Sequence, residues 1–321
     1  ALSYEGFRCA KFELITKDGT LGKVAYVQGL KKPATLNTGI FNIEIKDGSN
    51  IDEKYLFQYL RAPFLMNYVA QKATGGTIKH LNQSILVNFP VVLPSLKEQE
   101  KIGKYFEEFD NLITLRQRKL EQQKKFKKYF LKNMFPTKEE KVPKIRLKGF
   151  TGDWTQEKLI NICDYVDYRG KTPSKTTSGI FLVTAKNIKD GYIDYKASQE
   201  YISEKDYDKV MHRGMPKIGD VLITTEAPCG NVAQVNKENV ALAQRIIKYR
   251  GHDHVMDNTY LKYYFLSPEF QNILYAKSSG GTVQGIKGSI LHQQEVRFPR
   301  YEEQKKIGQY FDRLDTQTSH T

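Results

Sequence analysis

Residues Thr74–Asp110 read TGGTIKHLNQSILVNFPVVLPSLKEQEKIGKYFEEFD, and Ser279–Asp315 read SGGTVQGIKGSILHQQEVRFPRYEEQKKIGQYFDRLD. The two stretches align without a gap at an offset of 205, with 16 of 37 positions identical, which marks a duplicated module. Working outwards, YLFQYLRAPF from Tyr55 answers YLKYYFLSPEF from Tyr260, and LIT…GKVA from Leu14 answers LIT…GNVA from Leu222. Each copy therefore holds a globular part followed by a helix. A period near 200 residues, roughly that of an ordinary domain, is too long for a solenoid and suits two homologous domains with a core each. Two similar reading heads on one chain imply a ligand with two similar sites.

The 321 residues carry 50 Lys+Arg against 36 Asp+Glu, a net charge of +14, with 40% hydrophobic residues. That describes a folded, basic protein of sequence pI near 9.4, suited either to a polyanionic partner or to a soluble enzyme with a basic surface. Cys9, Cys163 and Cys229 are far apart, with no CxxC pair, and no apolar run reaches the roughly 18 residues of a membrane span. The opening ALSYEGFRCAKFELIT lacks the basic-then-apolar order of a signal peptide. A cytoplasmic protein with reduced thiols and no membrane association is expected.

Ser95 and Glu98 stand in the S-x-x-E spacing of a capping box just after Pro94, and no proline follows until Pro136, so the spacing predicts a helix of roughly 40 residues. Its heptad seam reads Ile102, Phe106, Phe109, Ile113, Arg116, Leu120, Gln123, Lys127, Phe130 and Met134, apolar at most positions and in need of a partner helix. Ile307, Phe311 and Leu314 occupy equivalent positions in the second copy, which ends in TQTSHT soon after Asp315. The second helix is then too short to cover a first helix of roughly 60 Å. Aligning Leu14 with Leu222 also leaves the first copy without a counterpart of about Pro143–Asp208. Both ends read as truncated. The expected organisation is a first, incomplete globular domain over 1–94, a long helix over 95–135, a linker over 136–144, a second domain over 145–299 and a shortened helix over 300–321.

An entry like GFTGDW, a turn like YRGKTP at Tyr168, KIGDVLIT followed by CGNVA, then SGGT and the closing FPRYEEQKKIGQYFDRLD together resemble the specificity subunit of type I restriction-modification systems. The resemblance covers nearly the whole chain, and PSLKEQEKIGKYFEEFDNLI of the first copy fits equally well. It implies an α+β fold in which two homologous globular target recognition domains alternate with long conserved helices that form an antiparallel coiled coil. Each domain would read one half of a split site on double-stranded DNA, and the helices would act as a ruler. At about 3.4 Å per base pair, a helix of roughly 60 Å spans at most about 17 base pairs.

In such a domain, polar groups meet base edges in the major groove while Lys and Arg fix register on phosphates. The loop Arg169, Gly170, Lys171, Thr172 and Lys175 is the first candidate, with a plain solvated loop as the alternative. It is not a P-loop, because Tyr165 stands where the first glycine would be. Lys186, Asn187, Gln244 and Arg245 follow, types that pair in bidentate fashion with adenine or guanine, or else cap a turn or hold a core carboxylate. The glycine loops at Gly75–Gly76 and Gly280–Gly281 bring Lys72, Thr77 and Lys79, and Lys277, Ser278, Thr282 and Lys287, as candidates for phosphate contact or simply for a turn. Lys31, Lys32 and Asn37 complete the set in the first domain. The run from Arg116 to Lys132 reads either as the solvated face of a coiled coil or as a phosphate-binding stripe.

Catalytic motifs are poor. His252 and His254 flank Asp253 without further ligand spacing, His80, His212, His292 and His320 are isolated, and Glu303 and Lys305 imitate a nuclease ExK fragment only where a helix begins. No metal site, methyltransferase NPPY motif or ATP-binding loop is read. The chain itself is expected to be non-catalytic and without cofactor. The resemblance assigns S-adenosylmethionine, ATP and Mg to partner methyltransferase and restriction subunits, with self-association through the exposed seam as a further use. The alternatives are the specificity subunit of a related fused methylase-nuclease system, and a coiled-coil scaffold that binds protein.

Overall fold

The computed structural model describes residues 12–18, 20–29, 34–46, 48–72, 80–168, 173–280 and 284–319. Two compact units divide the chain, residues 1–118 and 119–321. In the first, β1 (Phe12–Thr16), β2 (Val24–Val27) and β3 (Ile40–Ile43) form an antiparallel sheet with β1 in the centre. Helices α1 (Glu53–Arg61), α2 (Pro63–Lys72) and α3 (Gln83–Val87) follow. The Asp52 side chain caps α1 by accepting from Tyr55 N at 2.8 Å. Ile15, Leu56, Leu60, Leu65, Val69 and Leu81 make the core of this unit.

Helix α4 (Leu96–Asn133) runs for 38 residues, and its start is where the capping box lies, with Glu98 N and Gln99 N both donating to Ser95 O. The division between the units falls inside this helix. The second unit continues through β4 (Thr155–Lys158), α5 (Leu159–Ile162), β5 (Cys163–Asp167), β6 (Lys175–Thr176), β7 (Ile180–Val183), β8 (Tyr201–Ile202) and α6 (Tyr207–Val210). After these come β9 (Val221–Thr224), β10 (Val232–Gln234), β11 (Val240–Leu242) and β12 (Ile246–Gly251). The chain closes with α7 (Asn258–Leu266), α8 (Pro268–Lys277), α9 (Gly288–His292), β13 (Glu295–Phe298) and α10 (Tyr301–Ser319). One sheet has the order β10-β9-β12-β5, another the order β11-β7-β8-β6, and β13 pairs with β4.

The duplication holds at the level of register. Leu14 faces Ala25 and Asn42, and its counterpart Leu222 faces Ala233 and Lys248. The second sheet of the second unit, with its own core around Leu182, Val183, Ile202 and Ala241, has no counterpart among the described residues of the first. Residues 136–144, expected as a linker, are wound onto the second unit. Arg297 donates to the carbonyls of Glu140 and Lys138, and Trp154 N donates to Lys141 O at 3.3 Å.

The coiled-coil seam divides into two regimes. In the second unit Phe130, Met134 and Phe135 of the α4 end pack with Ile307, Phe311 and Leu314 of α10 in one apolar core. Lys127 pairs with Asp315 at 2.6 Å, and Phe130 meets Tyr310 at 5.4 Å between ring centroids. Because lower numbers on α4 meet higher numbers on α10, the pairing is antiparallel. In the first unit the seam is displaced. Phe106, Phe109 and Ile113 are about half exposed, at 46%, 46% and 51%, Ile102 is half-buried, and the helix instead turns Gln99, Gly103, Glu107 and Asp110 toward its globular part.

The reason is a polar joint that recurs in both units. Gln99 is 1% exposed and accepts from Asp52 N through Oε1, while its Nε2 donates to Asn50 O and Pro94 O. Gln304, 0% exposed, does the same with Asp257 N, Val255 O and Pro299 O. One turn further on, glycine is required by contact at Gly103, where a Cβ would sit 2.6 Å from Asp52 Oδ1 and 2.8 Å from Tyr55 N, and the approach is close at Gly308, where it would lie 3.2 Å from Tyr260 N. Aspartates complete the joint, since Gln58 donates to Asp110 and Tyr263 donates to Asp315. Heptad periodicity does not detect such a face, because nothing in it is apolar.

Glu13 is a core position where the copies conflict. It is 2% exposed, and neither carboxylate oxygen has a hydrogen-bond partner among the described residues. Burial, and then the charge of Glu53, push its carboxyl from 4.5 up to about 8. The equivalent residue of the second unit is the fully buried Val221.

Two outcomes are expected. Gln304→Leu leaves Asp257 N, Val255 O and Pro299 O without their side-chain partner and should lower stability by about 2–4 kcal/mol in urea unfolding, against less than about 0.5 for Gln309→Ala on the exposed face. A folded pKa raised above the unfolded one makes the first unit lose stability as pH rises from 4.5 to about 8. Glu13→Val should therefore stabilise on the order of 3 kcal/mol more at pH 8 than at pH 5; equal gains at both pH values would refute the assignment.

Candidate nucleic-acid interface

Three segments of the second unit meet where β9 ends. Thr225 N donates to Arg245 O at 2.9 Å, and Ile286 N donates to Thr225 O at 3.0 Å. Glu226 is bridged to Gly285, and Ser279 exchanges two hydrogen bonds with Gly285 at 2.9 and 3.0 Å. Gly285 is needed there, because a Cβ would come within 2.8 Å of Glu226 Cγ. Thr225, at the centre, is 1% exposed.

This junction holds Arg245 and Ala227 in the left-handed region, with φ of 73° and 44°, at a cost of roughly 1–2 kcal/mol each for a residue with a Cβ. The Arg245 guanidinium stands 3.4 Å from the Glu226 carboxylate, with the side chains 50% and 43% exposed. An ion pair that open to water contributes about 0–1 kcal/mol. The pair therefore does not offset the strained backbone that positions it, a pattern that points to function rather than stability.

The first unit builds the same frame. Lys17 N donates to Gly39 O and Leu81 N to Lys17 O, both at 2.9 Å, and Asp18 is bridged to His80. Asp18 takes the place of Glu226. Its basic neighbour is His80, at 2.5 Å, from the third segment, since the counterpart of Arg245 is Gly39. Frame and acid are retained while the acid's partner changes identity and origin.

Of the residues singled out in the sequence, Gln244, Arg245, Lys277, Ser278 and Lys287 all lie on these converging segments. Gln244 is half-buried, and Lys277 and Lys287 are exposed. The Lys277 ammonium donates to Gln294 at 2.8 Å, and Ser278 donates to Leu274 O at 2.8 Å. Lys175 lies elsewhere, paired with Glu200 at 2.7 Å, and Lys186 is exposed. Asn187 belongs to the core: 0% exposed, it accepts from Thr184 N and Thr184 Oγ1 and donates to Asp194 O and Ser198 O. Every polar atom of its amide is committed to closing a turn, so it offers no edge to a base. In the first unit Asn37 is exposed and accepts from Gly39 N at 3.1 Å, and Lys72 lies over the Tyr68 ring at 5.7 Å. Arg169, Gly170, Lys171, Thr172, Thr282, Lys31, Lys32, Thr77 and Lys79 lie outside the described residues.

Asp18, His80 and Glu226 escaped the sequence reading. Their signal was the alignment of LITKD with LITTE, which sets one acid over the other. The ExK acid is structural: Glu303 is 1% exposed and takes two bonds of 2.8 Å from Arg146. Among the described residues no three His, Cys, Asp or Glu side chains cluster as metal ligands, and no helix is long and apolar enough to cross a membrane. At the other end of β9, buried Asp220 holds Arg250 at 2.6 Å and faces the buried Lys248 ammonium at 3.6 Å, whose pKa burial lowers.

A family model, the type I restriction modification DNA specificity domain, matches residues 10–125 and again 151–321. Over 296 residues the chain is 24% identical to the type I restriction enzyme MjaVIII specificity subunit of Methanocaldococcus jannaschii, covering 89% of this chain and 68% of that protein. The type I restriction-modification S subunit from M. genitalium is similar in fold, with a TM-score of 0.62 at 14% identity over 98% of this chain and 79% of that one. A chain from a structure of type I complex assembly and conformational transition gives 0.57 at 20% identity, over 98% and 76%.

Removing the Asn187 amide should expose its core role. Asn187→Ala is expected to cost about 2 kcal/mol in denaturant unfolding, while the neighbouring Lys186→Ala changes stability by less than about 0.5. A base-reading Asn187 would instead alter DNA preference at unchanged stability.

Proposed function

The chain belongs to the type I restriction-modification DNA specificity family, and from that premise we propose that its two units each read one half of a split site on double-stranded DNA, with α4 setting the separation. It directs methyltransferase and restriction subunits to that site. S-adenosylmethionine, ATP and Mg belong to those partners, and this chain carries out no chemistry of its own.

The observation that carries this reading is the repeated junction: the same backbone hydrogen bonds in both units, dressed with Asp18 and His80 in one and Glu226 and Arg245 in the other. A shared frame with different side chains is what two readers of two different half-sites need, since position comes from the frame and sequence from the side chains. The net charge of +14 supports phosphate contact, which makes affinity fall steeply as salt rises. Neither the fused methylase-nuclease reading nor the protein scaffold gains support from the family match.

Co-expression with a type I methyltransferase subunit, followed by mapping of methylated adenines in long-read sequencing, tests the proposal. The expected result is two short blocks around a fixed gap. Inserting one helical turn between Arg116 and Lys128, about 5.4 Å, should lengthen that gap by roughly one to two base pairs while both blocks stay the same. An unchanged gap would remove α4 from the role of spacer.

A further inference from the structure

We infer that Glu226 and Arg245 read a single C·G base pair as a matched acid-base couple, Arg245 donating to guanine O6 and N7 and Glu226 accepting from cytosine N4. The inference rests on the DNA-reading role proposed above and assigns the residues that set one position of the second half-site.

The chemistry begins with what each side chain can offer. A guanidinium is donor only and an ionised carboxylate is acceptor only. In the major groove guanine presents two acceptors, and cytosine presents the N4 donor. Guanine O6 and cytosine N4 are themselves hydrogen-bonded partners, so they lie about 2.9 Å apart. The facing groups of the couple, Arg245 Nε and Glu226 Oε2, are 3.4 Å apart. Donor and acceptor are thus held side by side within about 0.5 Å of the spacing with which the base pair displays acceptor and donor.

Phosphate contact fits less well. A carboxylate beside the guanidinium opposes an approaching anion, whereas a base-pair edge offers a partner of each kind. Both side chains are about half exposed and remain open to a ligand. Their positions are set by the strained backbone at Arg245 and Ala227 and by the buried Thr225, which ties the two segments together. Lys287, exposed and one residue past the Ile286 amide that donates to Thr225, supplies a cation for the phosphate backbone beside the couple. The first unit presents Asp18 and His80 on the same frame, so an acid beside a nitrogen-bearing side chain is a recurrent fitting of this junction.

Reversing the couple tests the assignment. With the wild-type chain in the methylation assay, one half-site should contain a fixed C·G pair. Arg245→Ala and Glu226→Ala should each relax that single position, on the order of tenfold or more in preference, with the other half-site untouched. The double variant Glu226→Lys with Arg245→Asp should invert the preferred pair to G·C, and aspartate tolerates the left-handed backbone at that place. Arg245→Lys, which keeps the charge but loses the planar fork, should still direct methylation while blurring that position, and it covers the case of a truncation that methylates nothing. Variants that methylate with both half-sites unchanged would overturn the assignment and leave the split-site function standing. A wild-type chain that yields no split motif would overturn the function, and the assignment with it.

Discussion

Two buried glutamines set how a helix meets the globular part of its own unit. Gln99 and Gln304 each sit one turn into a long helix, and each answers the first free amide of a short helix and two loop carbonyls of its own globular part. A side-chain amide with one acceptor and two donors suits that set of partners, and a hydrocarbon of the same size would leave all three unpaired. The glycine four residues later lets the helices approach until backbone meets backbone. With these contacts made, the direction in which each helix leaves its own globular part is set. Apolar packing then finishes the work only in the second unit, where Phe311 and Phe135 stack with centroids 5.9 Å apart.

Much of the architecture was legible before any coordinate. The repeat located both units, Ser95 and Glu98 located the start of the long helix, and of the seam residues Ile307 and Phe311 are buried in the core with Leu314 packed against it. The seam of the first unit was not legible, because the heptad argument looks for apolar residues and this contact is made by Gln99, Gly103, Glu107 and Asp110. A polar face that satisfies a helix end has no periodic signature. The candidate interface divided in the same way. Arg245 and Gln244 were found from their capacity to pair with bases, whereas Asn187 has the same capacity and is consumed in a turn, a matter of burial that residue type does not encode. Asp18 and Glu226 went unnoticed because acids are poor phosphate ligands, although acceptors are what cytosine demands.

The junction separates two requirements that usually conflict. A reader of base edges needs rigid placement, and a family of readers needs freedom to change side chains. Here placement comes from backbone groups, Thr225 to Arg245 and Ile286, and Lys17 to Gly39 and Leu81, and not from the side chains that meet the ligand. The side chains on the frame are then free to vary with little effect on folding. Buried Asp220 with Arg250 and Lys248 shows the contrary arrangement, in which charged groups are tied into the core and their replacement disturbs the sheet.

The constant offset of 205 residues has a consequence for how such chains can be recombined. Every group of the joint, from the acceptor carbonyls before the helix to the aspartate that closes it, falls within or beside the repeated segment and at the same spacing in both copies. A crossover between the two copies anywhere from Pro94 to Asp110, matched to Pro299 to Asp315, would rejoin the chain in frame with its helix docking intact. Each globular part behaves as an interchangeable tool head on a common socket, and new pairings of half-sites require no new solution to the folding problem.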